Sequence, residues 1–187
     1  MSAAAAALAP AVDGCISALP RAPGAVELVL VFLDGSRGAE RALPVALEVG
    51  RHRRAEILLL RVLDRRALSE CADPWSVPGG ASYLMGVRDA LAPAAREAGC
   101  RVCITVRGGR PVPVILETAR FRGADLIVLA APGGCAPNAR LGGVAYRVAL
   151  AATVPVLVVG PRAGGTLVHQ IGPNTDDSRS SARARDG

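Results

Sequence analysis

The chain is built of apolar runs separated by segments of helical period. Glu27–Leu33 (ELVLVFL) is almost continuously apolar, as a strand buried on both faces of a parallel sheet is. Asp34, Gly35 and Ser36 end it, and Ser36 stands where a helix N-cap is needed. Gly38–Arg53 then places Ala39, Ala42, Leu43, Ala46, Leu47 and Val49 at helical spacing, with Pro44 inside as a source of a kink. A second apolar run is Glu56–Leu63 (EILLLRVL). Asp64–Gly80 is irregular, with Pro74, Trp75 and Pro78. Helical spacing resumes over Ala81–Ala98, where Leu84, Val87, Leu91 and Ala95 share one face. Arg101–Val106 reads as a third strand. Gly108 and Gly109 lead into Pro111, a favoured first helical residue, and that helix runs to Arg122, with Gly123 as its C′ glycine.

The stretch Asp125–Gly160 organises the rest. Two short apolar runs, Leu126–Ala130 and Val156–Val159, enclose a small-residue loop, Ala131–Ala139, and a helical segment entered through Gly142 and Gly143. That is a βαβ unit. A helix entered through glycines presents unpaired N–H groups and the positive end of its dipole, so it can receive an anion. Strict alternation of strand and helix predicts an α/β fold, a five-stranded parallel sheet doubly wound with right-handed crossovers. In the order 3-2-1-4-5 the switch lies between strands one and four. Ligands of open α/β sheets sit at that switch, outside the carboxyl ends of the strands, which places Asp34, Gly35 and Ser36 opposite the loop Ala131–Ala139. One carboxylate facing a glycine-rich loop suits a nucleotide, the Asp for ribose or base and the N–H groups for phosphate. Val154–Val159 is apolar and terminal, so as an edge it has to be paired or covered.

Composition adjusts this picture in a few places. Hydrophobic residues are 51% and aromatic residues 3%, so the core is aliphatic. The formal charge is +6, carried by arginine without any lysine. The arginines are dispersed and lack interleaved aromatics, which argues against a nucleic-acid surface. No long charge-free apolar stretch predicts a membrane span. Residues 1–24 and 163–187 read as disordered tails around one domain at 25–162, because the first is Ala-rich and Pro-punctuated and the second is poor in apolar residues. The five cysteines, an odd and scattered set, suit a reducing cytoplasm. Cys100 and Cys103 form a C-x-x-C, but at the entry to an apolar strand rather than at a helix N-terminus, which favours structural burial over redox chemistry. No second pair and no nearby histidine supports a metal site.

His52 lies among arginines at a helix end and reads as solvated; His169 lies in the tail. Asp34 and Asp64 end neighbouring strands without forming an acid–base pair. Asp73, Trp75 and Tyr83 read as a surface loop with an anchoring aromatic. No catalytic constellation emerges, so the chain reads as a non-enzyme, with slow hydrolysis of a bound nucleotide left open.

The residues also resemble a known family. Leu-Asp-Gly-Ser after strand one, Leu-Leu-Leu-Arg-Val-Leu-Asp, Gly-Arg-Pro, Gly-Ala-Asp-Leu-Ile-Val, and Gly-Gly-Val-Ala-Tyr-Arg-Val through Val-Pro-Val-Leu-Val-Val are similar to successive segments of universal stress proteins. The resemblance implies a Rossmann-like fold, like that of the adenine nucleotide α-hydrolases, and a cytoplasmic stress-response role. It also implies a homodimer formed through the last strand (Val154 to Val159), and ATP, accompanied by Mg, as ligand. Carried over, the nucleotide-binding positions are Asp34, Val62, Ala130, Gly133, Gly142 and Gly143. The chain departs from the family loop in several ways. Ala130 stands for its first glycine, and Gly133 to Gly142 is one residue short. Gly143 lacks the usual hydroxyl, and Pro132 removes an N–H. The alternative is a dimeric interaction module of the same fold that needs no nucleotide.

Overall fold

In a computed structural model of the chain, the structure describes residues 27–52, 54–63, 80–131 and 143–160, together with the backbone of Val168–Ile171. The sequence expectations for 1–24, for Asp64, Asp73 and Trp75, and for Gly133 and Gly142 lie outside these residues.

The apolar runs form the strands of one sheet. In chain order the elements are β1 (Leu28–Leu33), a 3-10 turn (Ala39–Arg41), α1 (Ala42–Arg51), β2 (Glu56–Leu63), α2 (Ala81–Glu97) and β3 (Arg101–Gly108). Then come α3 (Pro111–Arg122), β4 (Leu126–Ala130), α4 (Gly143–Ala151), β5 (Val156–Val159) and β6 (Val168–Ile171). The sheet order is β3-β2-β1-β4-β5-β6. The first five strands are parallel, in the order 3-2-1-4-5 that the alternation predicts.

Register explains why the strands read as continuous apolar runs. Ile104, Leu59, Val31, Val128 and Leu157 stand side by side across all five parallel strands and belong to one buried cluster, which packs α1 and α2. One residue earlier, Cys103, Leu58, Leu30, Ile127 and Val156 form the matching row of the opposite cluster, which packs α3 and α4. Both faces are covered, so neither parity of side chain is free to be polar. Cys100 packs against the first cluster and Cys103 lies in the second. Burial pushes the Cys100 thiol above its ordinary range. The C-x-x-C is therefore structural.

Local signals account for the helix ends. Ser36 Oγ accepts the Ala39 N–H at 3.1 Å and Asp34 Oδ1 accepts the Ser36 N–H at 2.9 Å, so the β1 exit is a doubly tied turn. The kink expected at Pro44 is resolved by where the helix begins. The backbone stays 3-10 to Arg41 and α1 starts at Ala42, leaving Pro44 in the first turn, where a missing N–H is tolerated. Pro111 opens α3, and Gly123 closes it at φ 62°, ψ 47°, a left-handed conformation that a glycine adopts without steric penalty.

The last strand of the sheet differs from expectation. Val154–Val159 was expected to be an edge, within a domain followed by a disordered tail. Instead Val168–Ile171, inside that tail, pairs antiparallel with β5, Val158 opposite His169. β5 is bonded on both sides, and β6 is the outer strand.

The amino ends of the strands are closed by polar ties. Asp125 Oδ2 accepts the backbone N–H groups of Glu27 and Leu28, each at 2.9 Å, locking the start of β1 to that of β4. Arg122 pairs with Glu56 at 3.3 Å.

Candidate functional site

The carboxyl ends of the strands are open. Between β1 and β4, at the switch in strand order, lies a cleft of about 590 Å³, within the size range of small-molecule sites. Among the described residues its floor is apolar (Phe32, Leu129, Pro111, Val144), and its rim carries Asp34, Ser36 and Arg41 from the β1 side and Ala130, Ala131 and Gly143 from the β4 side. Asp34, Ala130 and Gly143, three of the residues carried over by resemblance, therefore meet on one cavity. Val62 does not join them in the described lining: it sits on β2, one strand removed from the crevice, and is buried in the core at 8% exposure.

The departures at Ala130 and Gly143 are mild in structural terms. Ala130 is the last residue of β4, paired with Val159, and the next N–H, that of Ala131, donates to Val159 O at 2.8 Å. Among described non-glycine residues only Arg54 has positive φ, so Ala130 holds an ordinary conformation and needs no glycine. Gly143 begins α4, and no described atom lies within 4 Å of the position its Cβ would take. Gly143→Ser therefore adds the hydroxyl without a clash against any described atom.

A second polar group stands beside the cleft. Gly35, at φ 85°, leaves room for the Arg61 guanidinium, which a Cβ there would meet at 2.9 Å. That guanidinium lies 5.7 Å from the Tyr83 ring centroid, and Tyr83 donates its hydroxyl to Glu40 Oε1 at 3.0 Å. Burial, then the Glu40 hydrogen bond and charge, push the Tyr83 phenol far above its ordinary range, so it stays a donor. Tyr83 is the anchoring aromatic expected beside the irregular stretch, and it ties α2 to the 3-10 turn. His52 is exposed, 3.7 Å from Glu48, which fits the solvated face expected of it.

Two residues escaped the sequence reading. Arg41 falls between the apolar positions Ala39 and Ala42 and reads as solvent-facing. Arg61 interrupts the apolar run of β2, and a charge inside a strand buried on both faces is the signal that marks it for attention. Among the described residues, no group of three His, Cys, Asp or Glu side chains comes together as a metal site. No described helix is long and apolar enough to cross a membrane.

A doubly wound parallel sheet with a part-apolar, part-charged cleft at its topological switch point belongs to the open α/β class, whose ligand sites lie at that switch. Within that class the assignment is specific: the universal stress protein family matches residues 26–160, and the chain belongs to that family. Solved structures agree on the fold. The universal stress protein UspA from Lactobacillus plantarum superposes with a TM-score of 0.59 at 23% identity, over 72% of this chain and 98% of its own. A universal stress protein crystallised in complex with cAMP gives 0.55 at 23% identity, over 73% and 98%. One from Archaeoglobus fulgidus gives 0.50 at 23%, over 72% and 94%.

Proposed function

We propose that the cleft binds an adenine nucleotide, ATP in the first instance, and that the chain acts in the cytoplasm as a non-catalytic nucleotide-responsive stress protein. The observation that carries this reading is the cleft itself: at the switch point, it brings the Asp34 carboxylate and the Arg41 guanidinium onto the rim of one apolar cavity. Asp34 would take ribose or base hydroxyls, Phe32 and Leu129 the flat apolar face of adenine, and the Gly143 end of α4 a phosphate. The cAMP complex of a structural relative supports the ligand class. Bound Mg would come with the phosphates rather than from a protein cage.

Calorimetric titration of the full chain with ATP tests this. Saturable binding below millimolar is expected, and Asp34→Ala should weaken it about ten- to hundred-fold, the range for a lost hydrogen bond to a charged group. Because Asp34 also ties the turn at Ser36, circular dichroism of the variant accompanies the titration. No saturable binding below millimolar sinks the proposal.

The second reading, an interaction module without nucleotide, is favoured by one observation: Val62 is buried outside the described lining, so one adenosine contact expected from the family pattern is not made by the cleft wall. In either reading a homodimer through Val154–Val159 belongs to a chain from which β6 has left. With β6 bonded along β5, that edge is open to a second copy only when β6 leaves.

A further inference from the structure

We propose that the Arg41 guanidinium is the group in this cleft that recognises the ligand's phosphate, and that it makes binding depend on the ligand's negative charge; the ligand class rests on the nucleotide reading above.

Arg41 ends the 3-10 turn after β1, and its guanidinium folds back over the turn. Nη2 lies 3.5 Å and Cζ 4.0 Å from the position a Gly38 Cβ would take. Nη2 then reaches across the crevice and donates to Ala131 O at 3.0 Å, just past the end of β4. The side chain thus spans the switch point, from the β1 side of the cleft to the β4 side, and the group lines the cavity.

Its donors are mostly unspent. A guanidinium offers five N–H groups, and among the described residues one bond holds it. Nε is buried and has no hydrogen-bond partner. Neither nearby carboxylate is used for Arg41: Asp34 accepts the Ser36 N–H, and Glu40 accepts the Tyr83 hydroxyl. A partly desolvated cation without a counter-charge among the described residues is unfavourable, and an anion entering the cleft relieves it. The planar fork suits phosphate better than it suits a neutral sugar or base, and the Ala131 bond fixes its plane before the ligand arrives.

The loop chemistry gives this charge a reason. Compared with the family loop it resembles, the sequence lacks an N–H at Pro132 and a hydroxyl at Gly143. A permanent cation from the β1 side replaces backbone donors with a charge. Selection then shifts from loop shape to ligand charge. ATP and AMP should bind, and adenosine should bind far more weakly.

The test uses the full chain and three ligands, ATP, adenosine and inorganic pyrophosphate, in calorimetric titrations of the wild type, Arg41→Gln and Arg41→Lys. Arginine Nε–H NMR signals are followed in the wild type during the same titrations. The expected result is that Arg41→Gln weakens ATP about ten- to hundred-fold while adenosine changes little. Arg41→Lys, which keeps charge without the fork, should fall between, and the Arg41 Nε signal should shift with pyrophosphate as well as with ATP. Equal ATP affinity in wild type and Arg41→Gln overturns the proposal and leaves the nucleotide reading standing. Tighter ATP binding in Arg41→Gln also overturns it, since the guanidinium would then plug the cleft. Pyrophosphate binding that shifts the Arg41 signal, without any nucleotide binding, supports the anion role and removes the nucleotide reading. A wild-type chain that binds none of the three overturns both. Should Arg41→Gln fail to fold, the wild-type signal and Arg41→Lys still decide.

Discussion

Leu59→Ala is expected to lower the unfolding free energy by about 3–5 kcal/mol, the upper part of the range for a buried leucine. Leu59 is fully buried on β2. It stands between Val31 and Ile104 in a row that crosses the five parallel strands, and helices cover that face. Strands hydrogen-bonded on both sides cannot move inward to fill the void, so both the lost transfer energy and the cavity are felt in full. Domains of this size are stable by about 5–15 kcal/mol, so the change removes a large part of the margin. Urea unfolding followed by circular dichroism should show the midpoint falling by at least about 1 M. Leu150, 66% exposed on α4, is the control: Leu150→Ala should stay within about 0.5 kcal/mol. A Leu59→Ala chain with an unchanged midpoint would contradict the two-faced core described above.

Ending the chain at Gly160 is expected to convert it from monomer to dimer. In the full chain β5 is bonded to β4 on one side and to β6 on the other. Without β6, the Val156–Val159 backbone is left as a row of unpaired donors and acceptors beside apolar side chains, and such edges pair with a second copy. Light scattering at micromolar concentration should give one chain mass for the full protein and two for the shortened one. Two chain masses for the full protein would mean that β6 does not guard the edge. One chain mass for both would mean that the β5 edge has no tendency to self-pair.

The fold was legible because a parallel sheet covered on both faces leaves a plain trace: runs such as ELVLVFL and EILLLRVL, separated by helical periods and glycines. Alternation then set the class, and the handedness of crossovers limited the topologies. β6 left no such trace. VHQI is four residues, two of them polar, in a tail of Gly, Ser and Arg. An edge strand is held by backbone groups that every residue carries, so composition does not announce it. The site was half legible. Asp34 follows from the strand end and the switch rule, Gly143 from the glycine entry to its helix, and Ala130 from the family resemblance alone. Arg41 does not, because its reach to Ala131 depends on how the 3-10 turn is set against β4, a tertiary fact. Val62 marks the opposite case. The strand position is right, but which strand ends border a crevice is decided by sheet order, and β2 lies behind β1.

The ties at the amino ends of the strands give the domain a sealed pole and a receptive one. Asp125 fastens Glu27 and Leu28, so the chain enters the sheet at the pole opposite the cleft. For protein engineering, a fluorescent reporter or an affinity handle joined ahead of Glu27 enters the sheet at the pole away from the cleft. One joined after Ile171 sits beside the strand that covers β5 and tests its hold on the sheet.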